Sequence, residues 1–172
     1  AIGASMGGYC ALALLRRAPD RVQALALVGS RAEADTPERR AGRDETIRLI
    51  SEQGVEALWD EMRPRLFPEE ADAEVVARAR SLALERAPDE LVAAIEAMRD
   101  RPDSTQAARS FEGPALVAVG EHDPFFSPEE ARALAESMPD ARAHVFAGCG
   151  HLPSLERAEE FGRVLRELLE RA

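Results

Sequence analysis

The sequence predicts an α/β fold in which parallel strands are flanked by helices and interrupted by a separate helical insertion. Near both ends of the chain, short apolar runs alternate with helical patterns. Between them, residues 32–109 contain no strand-like run. In addition, a serine, an aspartate and a histidine, in that order, each follow the end of a predicted strand. These three observations together indicate a sheet whose carboxyl edge carries the functional groups.

The elements begin with a sharp turn. Residues 3–7 read G-A-S-M-G, a G-x-S-x-G motif in which a serine lies on a strand-to-helix turn. The glycines on either side of the serine lack a Cβ and permit the tight turn. Residues 8–17 are rich in Ala and Leu, have a basic end and precede Pro19, so they predict a buried helix. A turn of small residues that only opens a helix is the alternative interpretation.

Further strands are predicted at residues 22–30, 114–120 and 141–146, the last with the alternation typical of a sheet edge. Helices are predicted at residues 128–138 and 155–169. Because helices separate successive strands, the crossovers are expected to be right-handed and the sheet parallel.

The middle of the chain is predicted to be an insertion of several amphipathic helices over residues 32–109. Thr36 precedes a proline and marks the start of the first of these helices. The helices are punctuated by prolines: Pro37, Pro64, Pro68, Pro88 and Pro102. The predicted organisation is therefore a partial core, residues 1–31 and 110–172, and a helical unit, residues 32–109.

Composition fits an ordinary globular chain. The 172 residues are 45% hydrophobic and 31% charged. The net charge of −10 argues against nucleic acid or an anionic membrane surface as a partner, and no apolar run approaches the about 18 residues of a membrane span. Cys10 and Cys149 lack metal-ligand spacing, so we expect no bound metal. Both cysteines are expected to be free thiols, which predicts a cytoplasmic protein. The composition leaves the oligomeric state open.

The candidate chemistry combines a hydroxyl, a base and a carboxylate. A serine hydroxyl needs a neighbouring base, and the base needs a carboxylate to orient it. Ser5, Asp123 and His151 each lie beyond a predicted strand. Asp123 also fits a plain turn before a proline, and His151 also fits a glycine-rich turn. Glu121 and His122 are the competing acid and base.

Three segments resemble those of the α/β-hydrolase superfamily: the motif around Ser5, G-E-H-D at residues 120–123 and G-H-L at residues 150–152. The resemblance covers nearly the whole chain. The resemblance is greatest to its small carboxylesterase and enol-lactonase-like members. It implies that Ser5 is the nucleophile, His151 the general base and then acid, Asp123 the residue that orients His151, and the Met6 N–H an oxyanion donor. The helical insertion stands where that family has its cap.

Hydrolysis of a small ester or lactone through an acyl-enzyme, without a cofactor, is the activity that the resemblance implies. A C–C bond hydrolase, a cofactor-free perhydrolase and a non-catalytic module of the same fold are the alternatives. A complete set of serine, aspartate and histidine favours an enzyme.

The beginning of the chain departs from the family pattern. Only Ala1 and Ile2 precede the motif, and the chain does not start with Met. The strands before the motif and the loop that supplies a second oxyanion donor are not in this sequence. We therefore expect the chain to be the carboxyl-terminal part of a larger enzyme, poorly folded and nearly inactive alone but active in its parent.

Trp59, Phe126 and Leu152 are predicted to contact the substrate, with Trp59 lining an apolar acyl pocket. The alternative is that Trp59 and Met62 only seal helix to sheet. If Trp59 lines the pocket, Trp59→Ala will change the acyl-chain-length preference of the full-length enzyme, measured as kcat/KM for p-nitrophenyl esters of increasing length. An unchanged preference would favour the sealing role.

Overall fold

The computed structural model describes residues 1–172 and contains a sheet of four parallel strands in the order β1-β2-β3-β4. The strands are β1 (Ile2–Ala4), β2 (Leu25–Val28), β3 (Ala115–Gly120) and β4 (Ala141–Phe146). Each neighbouring pair is parallel. The predicted parallel sheet is confirmed, and β4 lies at the edge that its alternating sequence indicates.

The α-helices lie between the strands in the sequence and after the last one. They are α1 (Met6–Arg17), α2 (Pro37–Leu66), α3 (Ala73–Leu84), α4 (Pro88–Arg99), α5 (Thr105–Arg109), α6 (Pro128–Glu136), α7 (Pro153–Glu156) and α8 (Ala158–Leu169). None of them is both long enough and apolar enough to cross a membrane.

Two helix predictions were wrong in detail. The closing helix predicted at residues 155–169 is divided into α7 and α8, because Arg157 has φ −135° and ψ 48°, outside the helical region. Pro64, expected to mark a helix boundary, lies inside α2. The break in α2 falls instead at Gly54, whose φ of 83° is left-handed.

The chain divides into two compact units: Ala1–Glu33 with Asp103–Ala172, and Ala34–Pro102. The first unit contains the sheet with α1 and α5 to α8, and the second contains α2 to α4. The helix α5 therefore belongs to the sheet unit, although it falls within the predicted insertion at residues 32–109. The reason is packing, since Ala108 of α5 is fully buried in the apolar core of the sheet unit.

Both faces of the sheet are covered. Leu25 and Leu27 of β2 lie in one apolar cluster with side chains of α1, α5 and α6. Ala26 and Val28 lie in a second cluster with side chains of α8. Because successive side chains of a strand point to opposite faces, β2 is buried along its whole length. The uninterrupted apolar runs of the sequence are explained by this burial.

The helical unit is closed by ion pairs around a buried carboxylate. The Asp35 side chain is 1% exposed and lies 3.2 Å from Arg43 and 2.8 Å from Arg101. The Thr36 hydroxyl caps the start of α2 by accepting the Arg39 N–H at 3.3 Å. Asp35 thus joins the beginning of this unit to its end.

The turn from β1 to α1 depends on two glycines. A Cβ on Gly3 would lie 2.1 Å from the Gly7 carbonyl oxygen, and a Cβ on Gly8 would lie 2.2 Å from Oγ of Ser30. A Cβ on Gly7 would meet nothing within 4 Å. The close approach therefore requires glycine at positions 3 and 8, whereas the sequence pattern pointed to Gly3 and Gly7.

Gly8→Ala is expected to lower the free energy of unfolding of the full-length protein by about 1–3 kcal/mol, because the new methyl group overpacks the Ser30 side chain. Gly42→Ala is the matched control, since Gly42 also lies in a helix but a Cβ there meets nothing within 4 Å. The control should gain up to about 1 kcal/mol from helix propensity. Urea unfolding measures both, and equal stability of the two variants would contradict the packing argument.

Candidate active site

Ser5 lies at the strand-to-helix turn in an unfavourable backbone conformation. Its φ is 50° and its ψ is −115°, and it is the only non-glycine residue with a positive φ. Its N–H donates to the Val28 carbonyl oxygen at 2.7 Å, so the turn is attached to the end of β2. The Ser30 hydroxyl donates to the carbonyl oxygen of Ser5 at 2.8 Å. Backbone strain of this kind is concentrated at functional sites, where the surrounding structure maintains it.

The helix α1 begins directly after the serine. Met6 is its first residue, and the first N–H groups of a helix have no partner within the helix. These groups lie at the positive end of the helix dipole. The Met6 N–H is therefore suited to stabilise negative charge that develops next to Ser5.

Asp123 and His151 are hydrogen-bonded. Asp123 follows β3 and His151 follows β4, and Nδ1 of His151 lies 2.7 Å from Oδ2 of Asp123. The histidine side chain is 5% exposed and the aspartate side chain is 0% exposed. The other aspartate oxygen, Oδ1, accepts the N–H groups of Phe125 at 2.8 Å and Phe126 at 3.2 Å. Both oxygens of the buried carboxylate are therefore satisfied.

The imidazole lies against the end of β2. A Cβ on Gly29 would be 2.9 Å from Cε1 of His151, and Gly29 has a φ of 55°, so both contact and conformation require glycine. The register pairs Ala4 with Val28, the last residues of β1 and β2, so Ser5 and Gly29 each directly follow this pair. The Ser5 N–H donates to the Val28 carbonyl oxygen, so Ser5 lies beside the residue that precedes Gly29.

In this structure the His151 side chain makes one hydrogen bond, to Asp123. The imidazole and the Ser5 hydroxyl are therefore not hydrogen-bonded to each other. Catalytic hydrogen bonds of this type are often long without substrate and shorten when it binds. The structure thus joins Asp123 to His151 directly, and places Ser5 at the same edge of the sheet.

Phe125 and Arg31 lie close to the pair, and neither was predicted to be a site residue. The Phe125 ring meets the imidazole edge-on, with ring centroids 4.8 Å apart. Arg31 is buried and donates to the Phe125 carbonyl oxygen at 2.5 Å and to Glu130 at 3.0 Å. Arg31 therefore holds the loop that follows Asp123. No local pattern marks this contact, because the two residues are 94 positions apart in the chain.

The competing acid and base are solvent-exposed. Glu121 accepts the Gly148 N–H at 2.8 Å, and Nε2 of His122 lies 4.0 Å from that same carboxylate. The third histidine, His144, contacts Glu160 at 3.0 Å. Of these acid–histidine contacts, that of Asp123 with His151 is the one in which both side chains are buried.

The residues predicted to contact substrate lie in different environments. Phe126 is 3% exposed within the apolar core, with the Arg31 guanidinium 5.7 Å from its ring centroid. Leu152 is partly exposed, and its N–H donates to Glu156 at 3.2 Å. Trp59 is buried in α2 of the helical unit. Their contact with substrate stays a prediction.

A family model for the alpha/beta hydrolase fold matches residues 1–158. This chain belongs to the alpha/beta hydrolase family. The predicted fold class is therefore confirmed. A thermophilic esterase from Thermogutta terrifontis is 36% identical with a TM-score of 0.92, over 98% of this chain and 63% of that one. The enol-lactonase from Burkholderia xenovorans LB400 is 30% identical with a TM-score of 0.85. That match covers 98% of this chain and 64% of the enol-lactonase.

Curated relatives of this alpha/beta hydrolase are also named hydrolases. The 2-hydroxy-6-oxo-6-phenylhexa-2,4-dienoate hydrolase of Comamonas testosteroni is 29% identical over 98% of this chain and 61% of its own length. The 2-hydroxymuconate semialdehyde hydrolase of Pseudomonas putida is 29% identical over 99% of this chain and 62% of its own. The chain thus spans about 61% of the length of the curated relatives it matches.

If Asp123 holds the imidazole in the tautomer that can accept a proton, Asp123→Asn in the full-length protein will lower kcat by about 10⁴-fold, because the amide presents the wrong group to Nδ1. Glu121→Gln is the matched control, since Glu121 lies just past β3 but is solvent-exposed. Ester hydrolysis by the control should stay within about twofold of the wild type. Comparable losses in the two variants would contradict the assignment of the acid.

Proposed function

We propose that this alpha/beta hydrolase cleaves carboxylic esters or lactones, with Ser5 as nucleophile, His151 as general base and Asp123 as the residue that orients it. The observation that carries the proposal is the buried hydrogen bond between Asp123 and His151, 2.7 Å long, with its imidazole resting on Gly29. Gly29 and Ser5 directly follow Val28 and Ala4, the last paired residues of β2 and β1. The positive φ of Ser5 supports the proposal independently, because it is the strain expected of an exposed nucleophile.

The proposed reaction has two stages. His151 takes the hydroxyl proton as the Ser5 oxygen attacks the acyl carbon, and a tetrahedral oxyanion forms. The protonated imidazole then gives its proton to the leaving alcohol, and an acyl-enzyme remains. In the second stage His151 activates a water molecule that hydrolyses this intermediate. General base catalysis of this kind contributes about 10²- to 10⁴-fold to the rate.

The developing oxyanion needs donors that are already in place. In the proposed mechanism the Met6 N–H supplies one of them at the start of α1. A single donor of this type is worth about 10²- to 10³-fold in kcat. A backbone N–H cannot be removed by changing a side chain, so the nucleophile and base are the more direct targets of a test.

A second candidate is hydrolysis of a carbon–carbon bond by the same residues. It is supported by the curated relatives named as hydrolases of 2-hydroxy-6-oxo-6-phenylhexa-2,4-dienoate, which are 29% and 27% identical. The ester reaction is preferred because the esterase of known structure is 36% identical. Comparing kcat/KM of the full-length protein for p-nitrophenyl butyrate and for that dienoate distinguishes the two, and the larger value identifies the reaction.

Ser5→Ala in the full-length protein is expected to abolish labelling by a fluorophosphonate probe and to lower kcat for ester hydrolysis by about 10⁴-fold or more, because the attacking oxygen is lost. Ser81→Ala, at an exposed position in α3, is the matched control and should label normally. His151→Ala combined with Ser5→Ala should cost no more than Ser5→Ala alone, since the residues act as a unit. Labelling that persists in Ser5→Ala would exclude Ser5 as the nucleophile.

A further inference from the structure

The carboxylate of Glu156 accepts several hydrogen bonds from the loop that carries His151. Oε1 accepts the N–H of Gly150 at 3.1 Å and the N–H of Leu152 at 3.2 Å, and Oε2 accepts the Gly150 N–H at 3.0 Å. The Cys149 thiol donates to Oε1 at 3.3 Å. The two N–H groups belong to the residues immediately before and after His151. One side chain therefore holds the main chain on both sides of the histidine.

The local fold explains how the side chain reaches these groups. Leu152 precedes α7, a single helical turn that ends at Glu156, and the Glu156 N–H donates back to the Leu152 carbonyl oxygen at 3.0 Å. This single turn places Glu156 next to Leu152 along the helix axis. Arg157 then leaves the helical conformation, so α8 starts separately. The division between α7 and α8 thus keeps Glu156 beside the histidine loop.

An ionised carboxylate suits this set of donors. It has two oxygens that only accept, and hydrogen bonds from N–H to a charged oxygen are stronger than neutral ones. The Cys149 thiol is free and buried, and burial, followed by the Glu156 charge, raises its pKa, so that it stays protonated and donates. A glutamine would present an NH₂ group to donors and leave at least one of them without an acceptor.

The two partners of the histidine have separate tasks. Asp123 contacts the imidazole ring through Nδ1 and sets its orientation. Glu156 makes its hydrogen bonds to the main chain beside the ring, where they fix the position from which the ring projects. Displacement of a catalytic group by about 1 Å costs up to about 10²-fold in rate.

We propose that Glu156 is a positioning residue for His151, whose place beyond β4 it fixes through the Gly150 and Leu152 N–H groups. The proposal rests on the proposed function, because it takes His151 to be the base. It adds a requirement that the triad alone does not contain: a second carboxylate, outside the triad, that acts on the main chain.

Glu156→Gln in the full-length protein is expected to lower kcat for ester hydrolysis by about 10- to 100-fold with KM within about twofold, because proton transfer weakens while substrate contacts are unchanged. Glu159→Gln is the matched control, since Glu159 is an exposed glutamate in the first turn of α8. It should keep wild-type kcat. Cys149→Ala removes one donor but keeps both N–H groups, and should retain kcat within about threefold.

Two further measurements separate positioning from a general loss of stability. Amide hydrogen exchange at Gly150 and Leu152 should accelerate in Glu156→Gln while β3 amides keep wild-type protection. The proton NMR resonance of the Nδ1–H of His151 should broaden or shift, which a distant loss of packing would not cause. If Glu156→Gln is too unstable to study, Glu156→Asp, which keeps the charge but shortens the reach, is expected to show the same kcat loss.

The positioning role would be overturned if folded Glu156→Gln kept the wild-type kcat. It would also be overturned if the variant lost much of its stability while the Nδ1–H resonance of His151 stayed unchanged. The fluorophosphonate probe keeps this outcome distinct from failure of the proposed function. If wild-type protein labels at Ser5 and Glu156→Gln labels at the same rate, the positioning proposal fails alone. If wild-type protein does not label at Ser5, the proposed function itself fails.

Discussion

The buried hydrogen bond between Asp123 and His151 requires two loops, from the ends of neighbouring strands, to keep a fixed relation to each other. The aspartate side chain is 0% exposed, so its charge has lost its water shell. Removing a carboxylate from water costs several kcal/mol unless hydrogen bonds replace the water. The N–H groups of Phe125 and Phe126 replace it on one oxygen, and the imidazole replaces it on the other. The turn after β3 is therefore shaped around the acid that it carries.

Each loop is held by a charged side chain that matches the backbone groups which the loop leaves unpaired. The loop after Asp123 presents a carbonyl oxygen, at Phe125, and it is met by a guanidinium donor, Arg31. The loop around His151 presents N–H groups, at Gly150 and Leu152, and it is met by a carboxylate acceptor, Glu156. Opposite charges thus satisfy opposite backbone groups. Arg31 is buried beside the first loop, and Glu156 is half-buried beside the second.

Patterns of short range were sufficient for most of the elements. Strands β2 and β3 appear as uninterrupted apolar runs because both faces of the sheet are covered, and α1 appears as an Ala- and Leu-rich segment after the turn. The structure differs from the sequence patterns where a local pattern competes with contacts made in the fold. Ala108 of α5 is assigned to the sheet unit by its packing rather than by its neighbours in the chain. The single closing helix is divided at Arg157, next to the carboxylate that turns back to the histidine loop.

The sequence alone was enough to establish the α/β class, the strand-to-helix turn at Ser5 and the chain order of serine, aspartate and histidine, because apolar periodicity and glycine spacing are local properties. Which acid meets which histidine was decided only by tertiary structure. Glu121 and Asp123 are near neighbours in the chain, yet the first is exposed and the second is buried against His151. The parallel register of β3 and β4 brings their following loops together, and such pairing depends on hydrogen bonds between segments far apart in the chain. Arg31 was found only in the folded structure for the same reason, because it lies 94 positions from the carbonyl group that it meets. Glu156 lies only four and six positions from its N–H partners, but no motif of the sequence marks these backbone contacts.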